Sequence, residues 1–183
     1  HGVGLAALAF VVPLQFIVVI EIVFFLSMMV ARYLAEHFTR VPWIRYMQRM
    51  YSVGRLSFGE FFYPISAILL VFIAQSKWEF AAAILILGIS DTAAALVGKK
   101  YGRGNSYLVF GQKKSVAGSL AFLVTAFLII WGFVVLNGVE LGSVSLGLIA
   151  LTTILVTTSE NLGVYGSDNL LIPIVAVLLL NRL

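Results

Sequence analysis

The sequence has no cysteine and little charge for its length. Because none of the 183 residues is cysteine, disulfides, thiolate catalysis and cysteine-based metal sites are excluded. The two histidines, His1 and His37, do not have metal-ligand spacing. Charged residues make up 11% of the chain, against about 25% in soluble domains. So few charges leave too little polar surface for a water-soluble fold, and a lipid bilayer is the expected environment.

The chain consists mainly of apolar segments separated by short polar ones. A membrane-spanning helix needs about 20 mostly apolar residues, fewer where the helix is partly buried. We predict an all-α, polytopic transmembrane bundle of about seven spans, at 3–12, 16–31, 61–74, 80–98, 116–136, 143–159 and 170–180. No repeat or linker divides the chain, which predicts one domain over 1–183, expected to lack a short N-terminal segment. One helix over 3–31, kinked at Pro13, is the alternative to the first two spans.

Basic residues are distributed unevenly between the segments that join these spans. With seven spans, the segments 32–60, 99–114 and 160–169 lie on one side and carry ten of the twelve lysines and arginines. The other side has Lys77, with Arg182 near the end of the chain. This asymmetry predicts an integral, multi-pass protein with the basic side in the cytoplasm. The net charge of +4 is therefore interpreted as an orientation signal, and no nucleic-acid partner is expected. Segment 32–58 resembles an amphipathic surface helix.

An acidic residue lies within one of the predicted spans. A charge at membrane depth is costly and suggests function by default. Asp91 precedes Gly98 by two helical turns, or roughly 10 Å. Asp91, Ala95, Gly98 and Gly102 recur at helical spacing, which predicts a face that combines a carboxylate with small residues. Small residues allow a ligand or another backbone to approach closely. An ion pair that serves only packing is the alternative for Asp91.

A Lys-Ser step precedes the span at 116–136. Ser115 is a candidate N-cap, and the first backbone N–H groups of the helix, near Gly118 and Ser119, could receive an anion. Lys114 could neutralise phosphate. The residues do not fit the P-loop pattern G-x-x-x-x-G-K-[ST], so a soluble-kinase mechanism is unsupported. Two lysines at a cytoplasmic helix end are also an ordinary orientation signal, and this second interpretation stays open.

Four carboxylates lie on, or open towards, the basic side: Glu60, Asp91, Glu160 and Asp168. Mg²⁺ takes hard oxygen ligands and usually keeps waters and substrate phosphates. Carboxylates near lysines and glycines are therefore what a metal–nucleotide site requires, although each exposed acid could also be a solvated loop charge. Glu21, inside the second predicted span, is interpreted either as a helix–helix hydrogen-bonding group or as a catalytic residue.

Four ordered motifs resemble those of the polyprenol kinase group, which includes phytol, farnesol and dolichol kinases and CTP-dependent diacylglycerol kinases. Residues 90–102 (S-D-T-A-A-A-L-V-G-K-K-Y-G) and 114–119 (K-S-V-A-G-S) are similar to its D-x-x-A-x-x-x-G-[RK]-x-x-G and K-S-x-x-G-S patterns. Residues 59–64 (G-E-F-F-Y-P) resemble its G-E-x-x-Y-P segment, and Glu160 with 166–173 (G-S-D-N-L-L-I-P) resembles its ending. The motifs extend over positions 59 to 173. The group usually opens with R-K-x-x-H, of which only the final histidine has a candidate here, His1.

The resemblance implies CTP-dependent phosphorylation of a membrane-embedded isoprenoid alcohol to its monophosphate, with Mg²⁺ as cofactor and CTP as co-substrate. The implied catalytic residues are Asp91, Lys114, Glu160 and Asp168. The implied phosphate-binding residues are Gly98, Lys99, Gly102, Lys114, Ser115, Gly118, Ser119 and Asn169. The implied metal ligands are Asp91, Glu60 and Asp168, and Glu60 and Glu160 could orient metal-bound water or the substrate hydroxyl.

Two other activities and a transporter stay open. Phosphatidate cytidylyltransferases have a related signature but form a CDP-lipid, and a CTP-dependent diacylglycerol kinase would act on a different alcohol. A transporter usually has polar groups near the midplane with access from both sides, whereas these acids are concentrated on one side. The partners expected are a nucleoside triphosphate, a lipid alcohol and the bilayer. The sequence does not select the alcohol or the oligomeric state.

Overall fold

The computed structural model describes residues 1–37, 58–138 and 146–183. Its first two helices are α1 (Gly2–Val11) and α2 (Leu14–His37). Val12, between them, is extended at φ −118° and ψ 159°, because a residue that precedes proline is disfavoured in the helical region. Pro13 therefore ends α1, and residues 3–31 form two helices instead of one kinked helix. The ten residues of α1 rise only about 15 Å, half of a bilayer core.

The central part of the chain is a long helix interrupted by a π-helical turn. After α3 (Gly59–Ile73), helix α4 (Lys77–Leu85) continues through the π turn Ile86–Ser90 into α5 (Asp91–Tyr101). Ser76 caps α4 by accepting a hydrogen bond from the Glu79 backbone N–H at 3.1 Å. The extra residue of a π turn rotates the following helix. The turn ends immediately before Asp91 and therefore sets the direction in which α5 presents its side chains.

A short β-hairpin follows α5, where the sequence predicts only a basic loop over 99–114. Helix α5 extends to Tyr101, and a 3₁₀ turn (Gly102–Gly104) leads to β1 (Ser106–Val109) and β2 (Gln112–Ser115). The strands are antiparallel, with Tyr107 opposite Lys114. Phe110 and Gly111, the two turn residues, both have positive φ, as a type I′ hairpin turn requires. The helical bundle thus carries a two-stranded sheet that the prediction of an all-α fold did not include.

Three helices complete the bundle: α6 (Val116–Leu136), α7 (Leu146–Leu162) and α8 (Asp168–Leu180). Helix α6 packs against α5 and α7, and α8 packs against α3 and α7. Helix α4 contacts α1, α6 and α8, and its residues 80–84 are all buried. A helix that is apolar on all sides must be surrounded by others. The core is therefore centred on α4.

The chain is an α-helical membrane bundle. Three segments are long and apolar enough to cross a bilayer: Leu14–Leu34, Lys77–Gly104 and Val116–Leu136. The helices Gly2–Val11, Gly59–Ile73, Leu146–Leu162 and Asp168–Leu180 are apolar but shorter. Large apolar side chains such as Phe72 and Leu128 are exposed, as suits a surface in contact with lipid. The number of spans stays a prediction. The predicted amphipathic helix at 32–58, with Arg40, Arg45, Arg49 and Arg55, lies mostly outside the described residues.

Candidate functional site

A polar cavity of about 390 Å³ opens at one end of the bundle. It is bounded by α5, the hairpin, the start of α6 and the end of α7. Ligand cavities of small molecules typically measure about 300–1,000 Å³. The predicted site residues that line it are Asp91, Gly98, Lys99, Gly102, Lys114, Ser115, Gly118, Ser119 and Glu160. Segments far apart in the sequence thus contribute to one cavity.

Small residues let α5 and α6 touch at the wall of this cavity. A Cβ atom added to Gly118 would lie 2.9 Å from the carbonyl oxygen of Ala94, and one added to Gly98 would lie 2.9 Å from Ser115 Oγ. A Cβ atom added to Gly102 would be closer still, at 2.6 Å from Ser115 Cβ. The predicted stripe of Asp91, Ala95, Gly98 and Gly102 does line the cavity. Its two glycines serve the contact with the start of α6, and Asp91 supplies the charge.

Lys114 is the centre of a charged cluster beside the cavity. Its Nζ lies 2.6 Å from Glu160 Oε1, donates to the Glu160 backbone oxygen at 3.0 Å and lies 3.9 Å from Asp168 Oδ2. Glu160 is only 5% exposed, and its other oxygen, Oε2, is buried without a hydrogen-bond partner among the described residues. The Asp91 carboxylate interacts electrostatically with Lys114, Glu160 and Asp168. One lysine thus faces three carboxylates from three helices.

The N-terminus of α6 is a candidate anion-binding element of the cavity. Ser115 is its N-cap, as predicted, and Ser115 Oγ accepts a hydrogen bond from the Gly118 backbone N–H at 3.1 Å. The Val116 backbone N–H donates to the Asn105 carbonyl at 3.0 Å, so the positive end of the helix dipole is the main feature that favours negative charge here. Lys99, Arg103 and Lys113 line the same cavity. The combination of a helix N-terminus with several cations is typical of a phosphate-binding site.

Two polar residues that the sequence analysis missed hold the hairpin against the bundle. The Tyr107 hydroxyl lies 2.7 Å from Ser119 Oγ and donates to Asn161 Oδ1. Ser119 Oγ also donates to Asn161 Oδ1 at 2.9 Å, and the Asn161 amide donates to the Thr157 carbonyl at 3.0 Å. This network joins β1, α6 and α7. The sequence signals were weak: Tyr107 belongs to a four-residue strand, and Asn161 is noticeable only because it follows Glu160.

Glu60, Asp168 and Asn169 do not line the cavity. Glu60 Oε1 accepts a hydrogen bond from Arg32 Nη1 at 3.0 Å, in an ion pair between α2 and α3. Asp168 Oδ2 lies 3.9 Å from Lys114 Nζ, and Asp168 Oδ1 accepts from the Asn169 backbone N–H at 3.1 Å. The Asn169 side chain packs against Gly59. The structure therefore joins Asp168 to the Lys114 cluster and pairs Glu60 with a separate cation.

Segments 58–64 and 165–173, which contain the motifs at 59–64 and 166–173, pack directly on each other. The Phe58 backbone N–H donates to the Tyr165 carbonyl at 2.9 Å, and Gly59 lies against Gly166. Tyr165 and Gly166 both have positive φ, which turns the chain sharply before α8 begins. The starts of α3, α6 and α8 and the ends of α5 and α7 consequently lie at the same end of the bundle. The structure brings all four motifs together there.

The carboxylates suit a metal ion that takes only part of its coordination from protein. Across residues 1–37, 58–138 and 146–183, no group of three or more His, Cys, Asp or Glu side chains is arranged to hold a metal ion. Mg²⁺ usually binds through one or two carboxylates, substrate phosphates and waters. Asp91 and Glu160 both line the cavity, and Glu160 Oε2 is a hard oxygen that has no other partner there. These two carboxylates fit such a site.

Comparison with known proteins gives one partial likeness. A phytol kinase from Synechocystis sp. is 44% identical over 81 residues, which is 43% of this chain and 34% of the relative. The chain thus spans about a third of the length of the curated relative it matches. No family model matches the chain, and no solved structure matches it. The likeness supports a phytol or polyprenol kinase-like family.

Proposed function

We propose that this chain carries the phosphoryl-transfer site of a membrane kinase that uses CTP to phosphorylate an isoprenoid alcohol. The acceptor would be phytol, farnesol, geranylgeraniol, dolichol or another polyprenol, and the product its monophosphate. The observation that carries the proposal is the cluster of Lys114, Glu160 and Asp168 beside the Ser115-capped start of α6. The partial likeness to a phytol kinase supports the same reaction class.

The proposed chemistry follows from what phosphoryl transfer demands. Catalysis of this reaction consists mainly of positioning the reactants and neutralising phosphate charge. Lys99 and Lys114, with the positive end of the α6 dipole beside Gly118 and Ser119, would hold the phosphates of the donor. The alcohol oxygen then bonds to the γ-phosphorus, the bond from that phosphorus to the β-bridging oxygen breaks, and CDP leaves. The alcohol proton passes to a carboxylate, for which Asp91 is the proposed acceptor.

Mg²⁺ is the proposed cofactor. When bound, it would neutralise part of the phosphate charge, and Asp91 and Glu160 are the carboxylates at the cavity that would hold it. Asp168, 3.9 Å from Lys114 Nζ, would keep that ammonium orientated. Glu60 stays a predicted metal ligand, although its carboxylate is paired with Arg32 in the structure.

The location of the site at one end of an apolar bundle suits a reaction between a water-soluble and a lipid-soluble substrate. The alcohol dissolves in the bilayer, whereas a nucleotide arrives from water. We propose that the cavity opens to the cytoplasm, since the segments that border it belong to the basic side of the chain. Asp91, two helical turns from Gly98, would lie where the two substrates meet.

Labelled CTP tests the proposal. The purified protein in detergent micelles is incubated with Mg²⁺, each candidate alcohol, and CTP labelled at either the α- or the γ-phosphorus. We expect the γ-label alone to enter the lipid fraction, as an isoprenyl monophosphate. Entry of cytidine and the α-label when phosphatidate is supplied would instead identify a cytidylyltransferase. Labelling of diacylglycerol alone would identify a different kinase. No labelled lipid with any acceptor would contradict the proposal.

Asp91→Asn tests the assigned role of this carboxylate. The substitution keeps the size of the side chain and removes its charge and proton affinity, so we expect transfer from CTP to fall by at least about 100-fold, the usual contribution of a general base. The variant should elute from size-exclusion chromatography in detergent like the parent protein. Retention of activity in a folded variant would exclude Asp91 from the reaction.

A further inference from the structure

A second polar cluster lies inside the bundle, away from the cavity. Glu21 of α2 is 0% exposed, and its Oε1 lies 2.8 Å from His1 Nε2. The His1 ring stacks on Phe24 at a centroid distance of 4.3 Å and meets the Tyr63 ring edge-on at 5.3 Å. Glu21 shares the buried stripe of α2 with Ile17 and Met28. Side chains from His1, α2 and α3 thus meet around the buried Glu21 carboxylate.

Two polar atoms of this cluster are buried and have no partner within the described part of the chain. They are Glu21 Oε2 and the Tyr63 hydroxyl oxygen. An unpaired buried polar group costs about 1–3 kcal/mol, and more when the group is charged. Such atoms in a native structure call for a ligand or a water molecule that satisfies them. The contact with His1 accounts for one oxygen of the Glu21 carboxylate and leaves Oε2 unexplained.

The chemistry of the two atoms is complementary to a hydroxyl group. A carboxylate oxygen accepts a hydrogen bond, and a phenol hydroxyl donates one. An R–OH group offers both a donor for Glu21 Oε2 and an acceptor for the Tyr63 hydroxyl. An apolar chain would satisfy neither of these atoms, and a cation would leave the Tyr63 hydroxyl proton without an acceptor.

The cluster adjoins the helix that carries Asp91. A Cβ atom added to Gly2 would lie 3.3 Å from the Tyr63 hydroxyl oxygen and 3.4 Å from the Gly88 Cα atom. Gly88 belongs to the π turn that ends directly before Asp91. Along this helix, Gly88 precedes Asp91 and the cavity residues Gly98 and Gly102 follow it. The cluster therefore lies on the side of Asp91 away from the open end of the cavity.

We propose that Glu21 and Tyr63 bind the hydroxyl group of the lipid alcohol before transfer, with His1 holding the Glu21 carboxylate in place; for the reaction itself the hydroxyl must move to Asp91. This inference rests on the proposed function for the class of ligand, but it makes a separate claim about binding. A water molecule has the same hydrogen-bonding chemistry as the lipid hydroxyl. Comparing the binding of an alcohol with that of its hydrocarbon shows whether the two atoms bind the lipid hydroxyl or only water. If the site takes only water, it gives the protein no preference between these lipids.

The test measures binding without CTP, so it does not depend on kinase activity. Binding of phytol and of phytane, its saturated hydrocarbon, is compared by competition against a tritiated photoreactive analogue of phytol in micelles. We expect the parent protein to bind phytol about tenfold or more tightly than phytane, since two hydrogen bonds distinguish them. Tyr63→Phe and Glu21→Gln should each reduce this preference several-fold, with phytane binding unchanged.

Matched variants control for the loss of a hydroxyl or a buried charge elsewhere. Tyr101→Phe removes an exposed phenol hydroxyl, and Glu79→Gln removes a buried carboxylate at the opposite end of α4. Both should keep the full preference for phytol. Equal binding of phytol and phytane by the parent protein, or an unchanged preference in a folded Tyr63→Phe variant, would overturn the inference. A selective site in a protein that transfers no phosphate would instead contradict only the proposed function.

Discussion

Replacing Lys114 while Glu160 remains should destabilise the bundle, because the buried Glu160 carboxylate then loses its cationic partner. The side chains of the pair are 15% and 6% exposed, and Nζ and Oε1 are 2.6 Å apart. Breaking a buried ion pair costs about 3–5 kcal/mol, because the remaining charge is left uncompensated. The partial exposure of Lys114 favours the lower end, so we expect Lys114→Met to lower the free energy of unfolding by about 3 kcal/mol.

A double-mutant cycle separates the pair from the other contacts of each residue. Glu160→Gln should cost about 2 kcal/mol, because Lys114 keeps the Glu160 backbone oxygen and Asp168 as partners. The double variant should cost about 3 kcal/mol instead of about 5, which is a coupling energy near 2 kcal/mol. The unfolding is followed by circular dichroism as SDS is titrated into mixed micelles.

Lys77→Met provides the matched control for this cycle. The Lys77 ammonium is exposed and donates to the Val12 carbonyl at 3.3 Å, so its loss should change the free energy of unfolding by less than about 0.5 kcal/mol. If the costs of Lys114→Met and Glu160→Gln add within about 0.5 kcal/mol, the two side chains are not coupled and the account of the cluster is wrong.

Three further predictions concern the walls of the cavity. Gly118→Ala should lower the free energy of unfolding by about 1–3 kcal/mol, because its Cβ would press on the Ala94 carbonyl. Gly132→Ala, in open space on the same helix, should be neutral or stabilising. Equal effects of the two substitutions in thermal unfolding would contradict the close contact. Ser115→Ala should cost about 1 kcal/mol in the same assay through loss of the N-cap, and Ser115→Asp should restore most of it. Tyr107→Phe should increase hydrogen exchange in the hairpin; unchanged protection of 106–115 would show that its hydroxyl does not hold the hairpin.

Much of the helical architecture could be predicted from apolar runs, and its exceptions have local causes. The predicted span at 116–136 coincides with α6, because its ends are marked by Ser115 and a polar turn. The break at Pro13 was one of two alternatives, and the steric restriction on Val12 decides it. The hairpin was missed because its strands are only four residues long and the second is entirely polar, and because its turn is Phe-Gly instead of the more recognisable Asn-Gly.

The site was predictable where residues are close in sequence and less so where tertiary packing selects the partner. The Asp91–Gly102 stripe and the Ser115 cap follow from helical spacing and local capping rules. Nothing local indicates that Lys114 pairs with Glu160 and not with Glu60. That choice depends on how α7 and α3 are placed in the bundle. The Tyr107–Asn161 contact bridges distant segments in the same way.

The central claim is that segments 99–114 and 160–169 meet at one membrane face around one cavity. Measuring the side of the membrane on which each segment lies tests this claim most directly. Because the chain has no cysteine, single cysteines can be introduced at Gly104, Leu162 and Gln75. A membrane-impermeant maleimide is applied to right-side-out and inside-out vesicles. We predict that cysteines at Gly104 and Leu162 label only from the cytoplasmic face, and the one at Gln75 only from the other. Labelling of Gly104→Cys and Leu162→Cys from opposite faces would contradict the account.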